Sequence, residues 1–429
     1  MDGEKGMPSP TDTGSQSMEP SRDKKTANHS NTTSTADKKK EELLEACRRR
    51  DLSALRALAE SRGGFLADSI RQQAWPILLG LPPGNDVKTE AESPSSSWES
   101  LPRHKDEDQV QLDVNRAFIY YPDNQTESQL AHQKSLLSQL IVSVLRQHPY
   151  LCYFQGYHDI AQVLLLVLPS SVQLPAVTHL SLSHIRDFML PSLSPAIAQL
   201  RLIPDILRLS DPPLWRHLSH TEPFFALSGT LTMYAHDITS LGEIARLFDV
   251  LLAREPVFTV YLFAAIVRSR RDELFDTPPD EPEMLHSILS KLPVPLDLEG
   301  LIAAALRLQK EVPPEQLPAW KRISRWSVLK TNHSSNSRGG DGRGGGGGGG
   351  EQRVEQWRMY FERQVEELRW EEKKERARKW VWKHRRPARM VALAVLVGVL
   401  AVWLRKGPLP GPLVSGMGYL SGLLARWWR

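Results

Sequence analysis

Two short segments of this chain hold the residue types that phosphoryl transfer to water requires. In the first, Arg116 follows Asp113 by three residues. In the second, Gln155 precedes Gly156 among aromatic residues. A guanidinium can neutralise the charge that builds on transferring phosphate oxygens, and an amide can orient the attacking water. Together the segments predict a site that offers a cation and a water-positioning amide to a phosphoryl group.

Three motifs, each weak alone, occur in order between residues 71 and 159. Residues 71–80 read R-Q-Q-A-W-P-I-L-L-G, residues 110–116 read V-Q-L-D-V-N-R, and residues 153–159 read Y-F-Q-G-Y-H-D. They match the patterns R-x-x-x-W-P-x-L-L-G, I-x-x-D-x-x-R and Y-x-Q-G-x-x-D, apart from Val110 in place of isoleucine. The chain therefore resembles the TBC family of Rab GTPase-activating proteins.

Later segments also fit the family pattern, namely 186–188 (R-D-F), 225–228 (F-A-L-S) and 246–249 (R-L-F-D). One departure is Gly229, where the family usually has a tryptophan, and it affects local packing rather than the chemistry. The resemblance implies an all-α fold with two lobes. It therefore implies a helix at Val257–Tyr261, although that composition also suits a strand.

The resemblance assigns two catalytic residues, Arg116 as an arginine finger and Gln155 as a glutamine finger that replaces the glutamine of the GTPase. Asp113 lies three residues before Arg116, a spacing at which it can pair with the guanidinium on a helix. Gly156 lets backbone approach the partner closely. The alternatives are an ordinary exposed helix arginine paired with Asp113, and a polar helix cap at Gln155.

Four other motif residues have supporting or structural interpretations. Asp159 has two interpretations: it either caps a helix N-terminus or shapes the finger loop. Tyr153 either contacts the GTPase or packs internally. For Arg71 and Trp75 we expect a structural role, in anchoring the core of the first lobe. These four complete the predicted set of site residues.

No cofactor or metal is expected in the chain itself. The thirteen histidines and two cysteines show no H-x₃-H or C-x-x-C spacing, and the glycine-rich stretch before residue 350 lacks the Gly-Lys-Ser/Thr of a P-loop. GTP and Mg²⁺ should therefore belong to the partner, a Rab in its GTP form. The net charge of +4 is too small to indicate nucleic acid.

Composition divides the chain into six parts. The first is polar and predicts disorder, the third is a glycine- and serine-rich tether, and the fourth has a narrow apolar stripe that suits a partner helix, a membrane surface or packing back on the domain. The expected ranges are 1–40 disordered, 41–325 TBC domain, 326–350 linker, 351–386 charged amphipathic helix, 387–406 transmembrane segment and 407–429 apolar tail with a possible second membrane segment.

The end of the chain predicts a membrane anchor. Met390 to Leu404 carries no charge, and more Lys and Arg precede it than follow it. Such a bias places the preceding domain in the cytosol. The short run suits a thin bilayer, so we expect the endoplasmic reticulum or early secretory membranes, with a single-pass or hairpin anchor. Two alternatives are a non-catalytic Rab-binding scaffold and a membrane adaptor in which the domain is a spacer.

Overall fold

A computed structural model describes residues 26–83, 98–122, 125–337 and 350–406. Within these ranges the chain forms α-helices and short 3₁₀ helices with no strand, which confirms the all-α class. The helices are α1 Thr26–Arg49, α2 Leu52–Glu60, α3 Asp68–Leu78, α4 Glu107–Val114, α5 Glu127–Gln147, α6 Tyr157–Val167, α7 Ser170–Ser183, α8 Ser194–Leu200, α9 Leu202–Ser210, α10 Pro212–His217, α11 Leu227–Leu231, α12 Leu241–Ala253, α13 Phe258–Ser269, α14 Arg271–Phe275, α15 Pro282–Leu289, α16 Leu298–Glu311, α17 Val328–Ser337 and α18 Gly350–Lys406.

Helix α12 lies in the core, where it packs against α2, α3 and α6. Its buried Asp249 accepts hydrogen bonds from Trp75 Nε1 at 2.8 Å and Arg71 Nε at 3.0 Å. The backbone N–H of Phe65 donates to the other carboxylate oxygen at 3.0 Å. A buried carboxylate is stable only when it is paired and hydrogen-bonded, so the first motif supplies the partners of Asp249. This contact explains the structural role expected for Arg71 and Trp75.

Helices α5 and α6 position the two segments that are predicted to carry the chemistry. Thr126 and Gln129 form a capping box at the start of α5, each satisfying a backbone N–H of the other. The apolar face of α5 is buried, and this helix packs against α4, α6 and α7. It ends at Gln147, before Pro149. Helix α6 starts directly after Gly156, so the loop between the two helices carries Gln155.

Gly229 has a packing explanation. A Cβ at this position would lie 3.1 Å from the Tyr234 ring and 3.3 Å from the Phe263 ring. Those two rings are stacked, with centroids 6.4 Å apart and an interplanar angle of 21°. The space that a tryptophan would need is therefore filled by this aromatic pair. Phe263 lies on α13, which confirms a helix where the composition also suited a strand.

The structure differs from two of the predicted boundaries. Helix α1 begins at Thr26, inside the range predicted to be disordered; residues 1–25 of that range lie outside the described residues. Helix α17 occupies part of the range predicted as linker, and its Val328 is buried. The reason is that buried Asp187 accepts the Val328 N–H at 3.1 Å. The packed domain therefore continues past residue 325. Residues 338–349 lie outside the described residues.

Helix α18 divides between two compact units, the first ending at Phe361 and the second beginning at Glu362. Residues 350–361 belong with the helical domain, and their Trp357 and Phe361 are buried. Of the three alternatives for the apolar stripe, packing back on the domain holds for these first three turns. The helix then continues without a break to Lys406.

The transmembrane segment predicted at 387–406 is not supported. None of the helices in the described ranges combines the length and the apolar content that a membrane crossing requires. The second apolar stretch, 407–429, lies outside the described residues.

Candidate functional site

Arg116 lies just after the last turn of α4 and is turned toward solvent. Its side chain is 64% exposed, whereas that of Asp113 is fully buried. Arg116 Nη2 donates to Asp113 Oδ1 at 2.6 Å, so the pairing predicted from their spacing is present. One edge of the guanidinium is thereby fixed to the domain, while most of the group remains open to a ligand.

The same carboxylate also holds Tyr153, from the second segment. Tyr153 Oη donates to Asp113 Oδ2 at 2.9 Å. Burial, reinforced by the charge of Asp113, raises the pKa of Tyr153, so its hydroxyl stays protonated and remains a donor. Asp113 therefore joins the arginine segment to the loop that carries Gln155, and Tyr153 both makes this internal contact and lines an open cleft.

Gln155 is exposed at the tip of the α5–α6 loop, and Gly156 follows it with φ +99°. A Cβ at Gly156 would lie 2.5 Å from Thr232 Cγ2. This glycine is therefore required by its backbone conformation and by a contact within the chain. The close approach of a partner at Gly156 stays a prediction.

Asp159 stands in the first turn of α6, but Gly156 is the N-cap residue of that helix. Asp159 Oδ2 lies 3.0 Å from His236 Nδ1, and its Oδ1 lies 3.2 Å from His158 Nε2. The hydrogen bond to Asp159 raises the pKa of His236. The Asp159 carboxylate therefore links α6 to the segment before α12, and its role in shaping the loop of Gln155 stays a prediction.

An open cleft of about 900 Å³ brings these groups together, and both Arg116 and Gln155 line it. The backbone after Arg116 forms another wall, where Phe118 has φ +62°, an unusual conformation for a bulky residue. The buried amide of Gln162 holds this turn by accepting the Phe118 N–H at 3.0 Å. Next to it, Ile119 is 72% exposed.

Several residues of the cleft were missed by the sequence analysis. Gln162 had a usable signal, because it is a polar residue within the apolar run that follows the glutamine segment. Thr232 and His236 had none, since they come from a segment about 80 residues further along the chain. Arg71 and Trp75 are not among the residues that line the cleft. The described ranges hold no group of three or more His, Cys, Asp or Glu placed to bind a metal ion.

Comparisons with known proteins agree with these motifs. The family model described as "Rab-GTPase-TBC domain" matches residues 68–275. The GTPase-activating protein gyp10 of Schizosaccharomyces pombe is 35% identical over 296 residues, covering 68% of this chain and 78% of that protein. TBC1 domain family member 20 of Bos taurus is also 35% identical, over 269 residues, covering 62% of this chain and 65% of that protein.

A solved structure is similar as well. The Ypt/Rab-GAP domain of Gyp1p matches with a TM-score of 0.47 at 18% identity, covering 61% of this chain and 93% of that one. The identity and coverage shared with gyp10, together with the three ordered motifs and their geometry, place this chain in the Rab-GTPase-TBC domain family.

Proposed function

We propose that this chain is a GTPase-activating protein for a Rab-family small GTPase, which it stimulates with Arg116 and Gln155. The observation that carries the proposal is that Arg116 and Gln155 line one open cleft. The guanidinium of Arg116 is held by Asp113, and Gln155 lies on a short loop. The relatives support it, because gyp10 is named a GTPase-activating protein. The whole cleft would receive the nucleotide face of the GTPase.

Arg116 would stabilise the negative charge that develops on the γ-phosphoryl oxygens. An arginine supplied in this way accelerates hydrolysis by roughly 10³–10⁵-fold, which corresponds to about 4–7 kcal/mol of barrier. Asp113 would restrict the guanidinium before the GTPase arrives, which lowers the entropy lost on binding. Lysine cannot replace this group, because it lacks the planar fork of donors.

Gln155 would orient the attacking water in place of the glutamine of the GTPase. Its exposure at a loop tip suits insertion beside the nucleotide, and the contacts of Tyr153 with Asp113 and of Asp159 with His236 brace both sides of that loop. On this proposal the partner GTPase carries GTP and Mg²⁺, and the nucleotide site belongs to the partner.

We also propose that the apolar run of α18 contacts membrane lipid and holds the protein at the endoplasmic reticulum or other early secretory membranes. The side chains at 392–403 are all exposed, on every face of the helix, among them Leu396 at 56% and Val399 at 65%. A continuous exposed apolar surface of this kind is typical of a site that contacts a membrane or another protein. Basic residues such as Lys379 and Lys383 precede it and suit anionic lipid headgroups.

A screen of purified, GTP-loaded Rabs with the full-length chain tests the catalytic proposal. Arg116→Ala and Arg116→Lys should each reduce the stimulated single-turnover rate by at least roughly 10³-fold for a Rab that responds to the wild type. Arg216→Lys, an exposed arginine outside the cleft, serves as the matched control. If Arg116→Lys stimulated hydrolysis at nearly the wild-type rate, Arg116 would not be an arginine finger.

A further inference from the structure

The first turns of α18 contact several elements of the domain, among them α3, α7, the α5–α6 loop and, through Tyr360, Arg186 and Trp326. We call Arg353–Phe361 the latch. Its first contact is at the end of α3, where Arg353 Nη1 donates to the Gly80 carbonyl at 3.0 Å. Gly80 has φ +74°, and a Cβ there would lie 2.1 Å from Arg353 Nη1. The glycine that ends the first motif is thus required both by its backbone conformation and by the latch.

The second contact is on α7. The ring of Trp357 meets the ring of His179 edge-on, with centroids 5.2 Å apart. His179 in turn uses Nδ1 to reach the Leu79 carbonyl at 3.0 Å. Trp357 is only 7% exposed, so this contact buries one of the largest side chains of the latch. These two contacts fix the N-terminal part of the latch on α3 and α7.

The third contact is with the α5–α6 loop, which carries Gln155. The ring of Phe361, 3% exposed, packs 5.0 Å from the ring of Tyr150. The guanidinium of Arg358 lies over the same tyrosine ring, 5.7 Å from its centre. Aromatic pairs and cation–π contacts of this kind stabilise the packed arrangement beyond the area that they bury.

Tyr150 is joined to Gln155 by a short and closely held stretch of chain. Leu151 is fully buried, the Cys152 N–H donates to the Met189 carbonyl at 2.9 Å, and the Tyr153 N–H donates to Asp106 Oδ2 at 2.9 Å. These contacts restrict the backbone dihedrals of residues 151–153. A displacement of Tyr150 is therefore transmitted to Gln155. Reaction rates are sensitive to such displacements, because about 1 Å of misplacement can cost 10²-fold.

We propose that the latch positions the Gln155 loop, with Phe361 and Arg358 acting through Tyr150. The inference rests on the proposed function in so far as Gln155 acts in hydrolysis. Phe361 and Tyr150 are positioning residues, since neither lines the cleft. The segment that the sequence separates from the domain by a glycine-rich tether is, on this proposal, part of the catalytic unit.

Hydrogen exchange of the full-length protein tests the positioning without any GTPase. In Phe361→Ala, the amides of residues 151–155 should exchange roughly 3- to 10-fold faster than in the wild type. Met359→Ala is the matched control, because Met359 lies on the same turns of the helix and is 43% exposed. Unchanged exchange at 151–155 in Phe361→Ala overturns the proposal, whether or not a responsive Rab exists.

Kinetics with a responsive Rab test the consequence. Phe361→Ala should lower kcat roughly 3- to 10-fold with KM unchanged, and Tyr150→Ala should add little to it because both remove the same contact. Faster exchange combined with wild-type kcat would overturn the positioning role. A wild-type chain that stimulates no Rab refutes the proposed function instead, and the exchange result then decides the latch by itself.

Discussion

Asp113 connects the two segments that the motifs placed far apart in sequence. One of its oxygens accepts from Arg116 and the other from Tyr153, while the whole side chain is excluded from water. Gln109 Nε2 also donates to the oxygen that Arg116 uses, at 3.1 Å, and a buried carboxylate limits the positions of the donors that it holds. Asp113 therefore ties Arg116 to the Gln155 loop, although its own side chain does not line the cleft.

Asp113→Asn should lower kcat by roughly tenfold with little change in KM. The amide keeps its oxygen for one donor but loses the charge, and a hydrogen bond to a charged group contributes about 1.5–3 kcal/mol. The loss should be much smaller than that of Arg116→Ala, because the guanidinium remains. Stimulated single-turnover hydrolysis measures it, with Gln111→Ala on the same helix as the control. A loss in KM alone would place Asp113 in binding rather than in positioning.

Gln155 can be separated from Arg116 by changing the GTPase. If Gln155 orients the water, wild-type protein should still stimulate a Rab whose own catalytic glutamine is replaced, since the activator brings the amide. Gln155→Ala should then reduce stimulation of that Rab by at least roughly 10²-fold, within the range that general positioning effects reach. Failure of the wild type to stimulate the altered Rab would make Gln155 structural.

At the scale of elements, the α5–α6 loop is defined by contacts from several directions. Gly156 at its end has φ +99° and faces Thr232, whose Oγ1 donates to the Ser228 carbonyl at 2.9 Å. That hydrogen bond fixes the Thr232 rotamer, so its methyl group cannot turn away cheaply. The loop therefore has little room to adapt to any side chain at this position.

Gly156→Ala should displace the loop and reduce kcat, through both the left-handed backbone and the clash with Thr232 Cγ2. The backbone strain alone is of order 1–3 kcal/mol. Thr232→Ser removes the methyl group and keeps the hydroxyl, so Gly156→Ala combined with Thr232→Ser should recover part of the rate. Thr232→Ser alone serves as the control. Equal kcat in the single and double variants would show that the clash has no effect.

Local patterns in the sequence predicted what local physics determines. The helical spacing of apolar residues gave α5, and the three-residue spacing of Asp113 and Arg116 gave their ion pair. The contact of Asp159 with His236 could not be predicted in this way, because it joins segments 77 residues apart. The contact of Phe361 with Tyr150 spans an even longer stretch of chain. Such pairings depend on how the helices pack, which spacing does not encode.

The whole molecule consists of a helical domain to which the first turns of α18 belong, and a second unit that begins at Glu362. The amino-acid composition of the second unit changes along its length. Charged residues dominate its first part, and uncharged residues fill 390–404. Because the latch ends at Phe361, the apolar run can be altered without touching any contact of the domain described above.

Lipid attachment is tested by adding one charge to the apolar run. Leu396→Asp should reduce flotation of the full-length protein with anionic liposomes by roughly 100-fold, because an aspartate at the centre of an apolar helix costs about 2.5–3.5 kcal/mol in a bilayer. Ala377→Asp adds the same charge at an exposed position among charged residues, so it should float like the wild type. Stimulated hydrolysis in solution should be equal in all three proteins, since the added charge lies beyond the latch. Wild-type protein that does not float, or floats only as well as Leu396→Asp, would contradict attachment through this run.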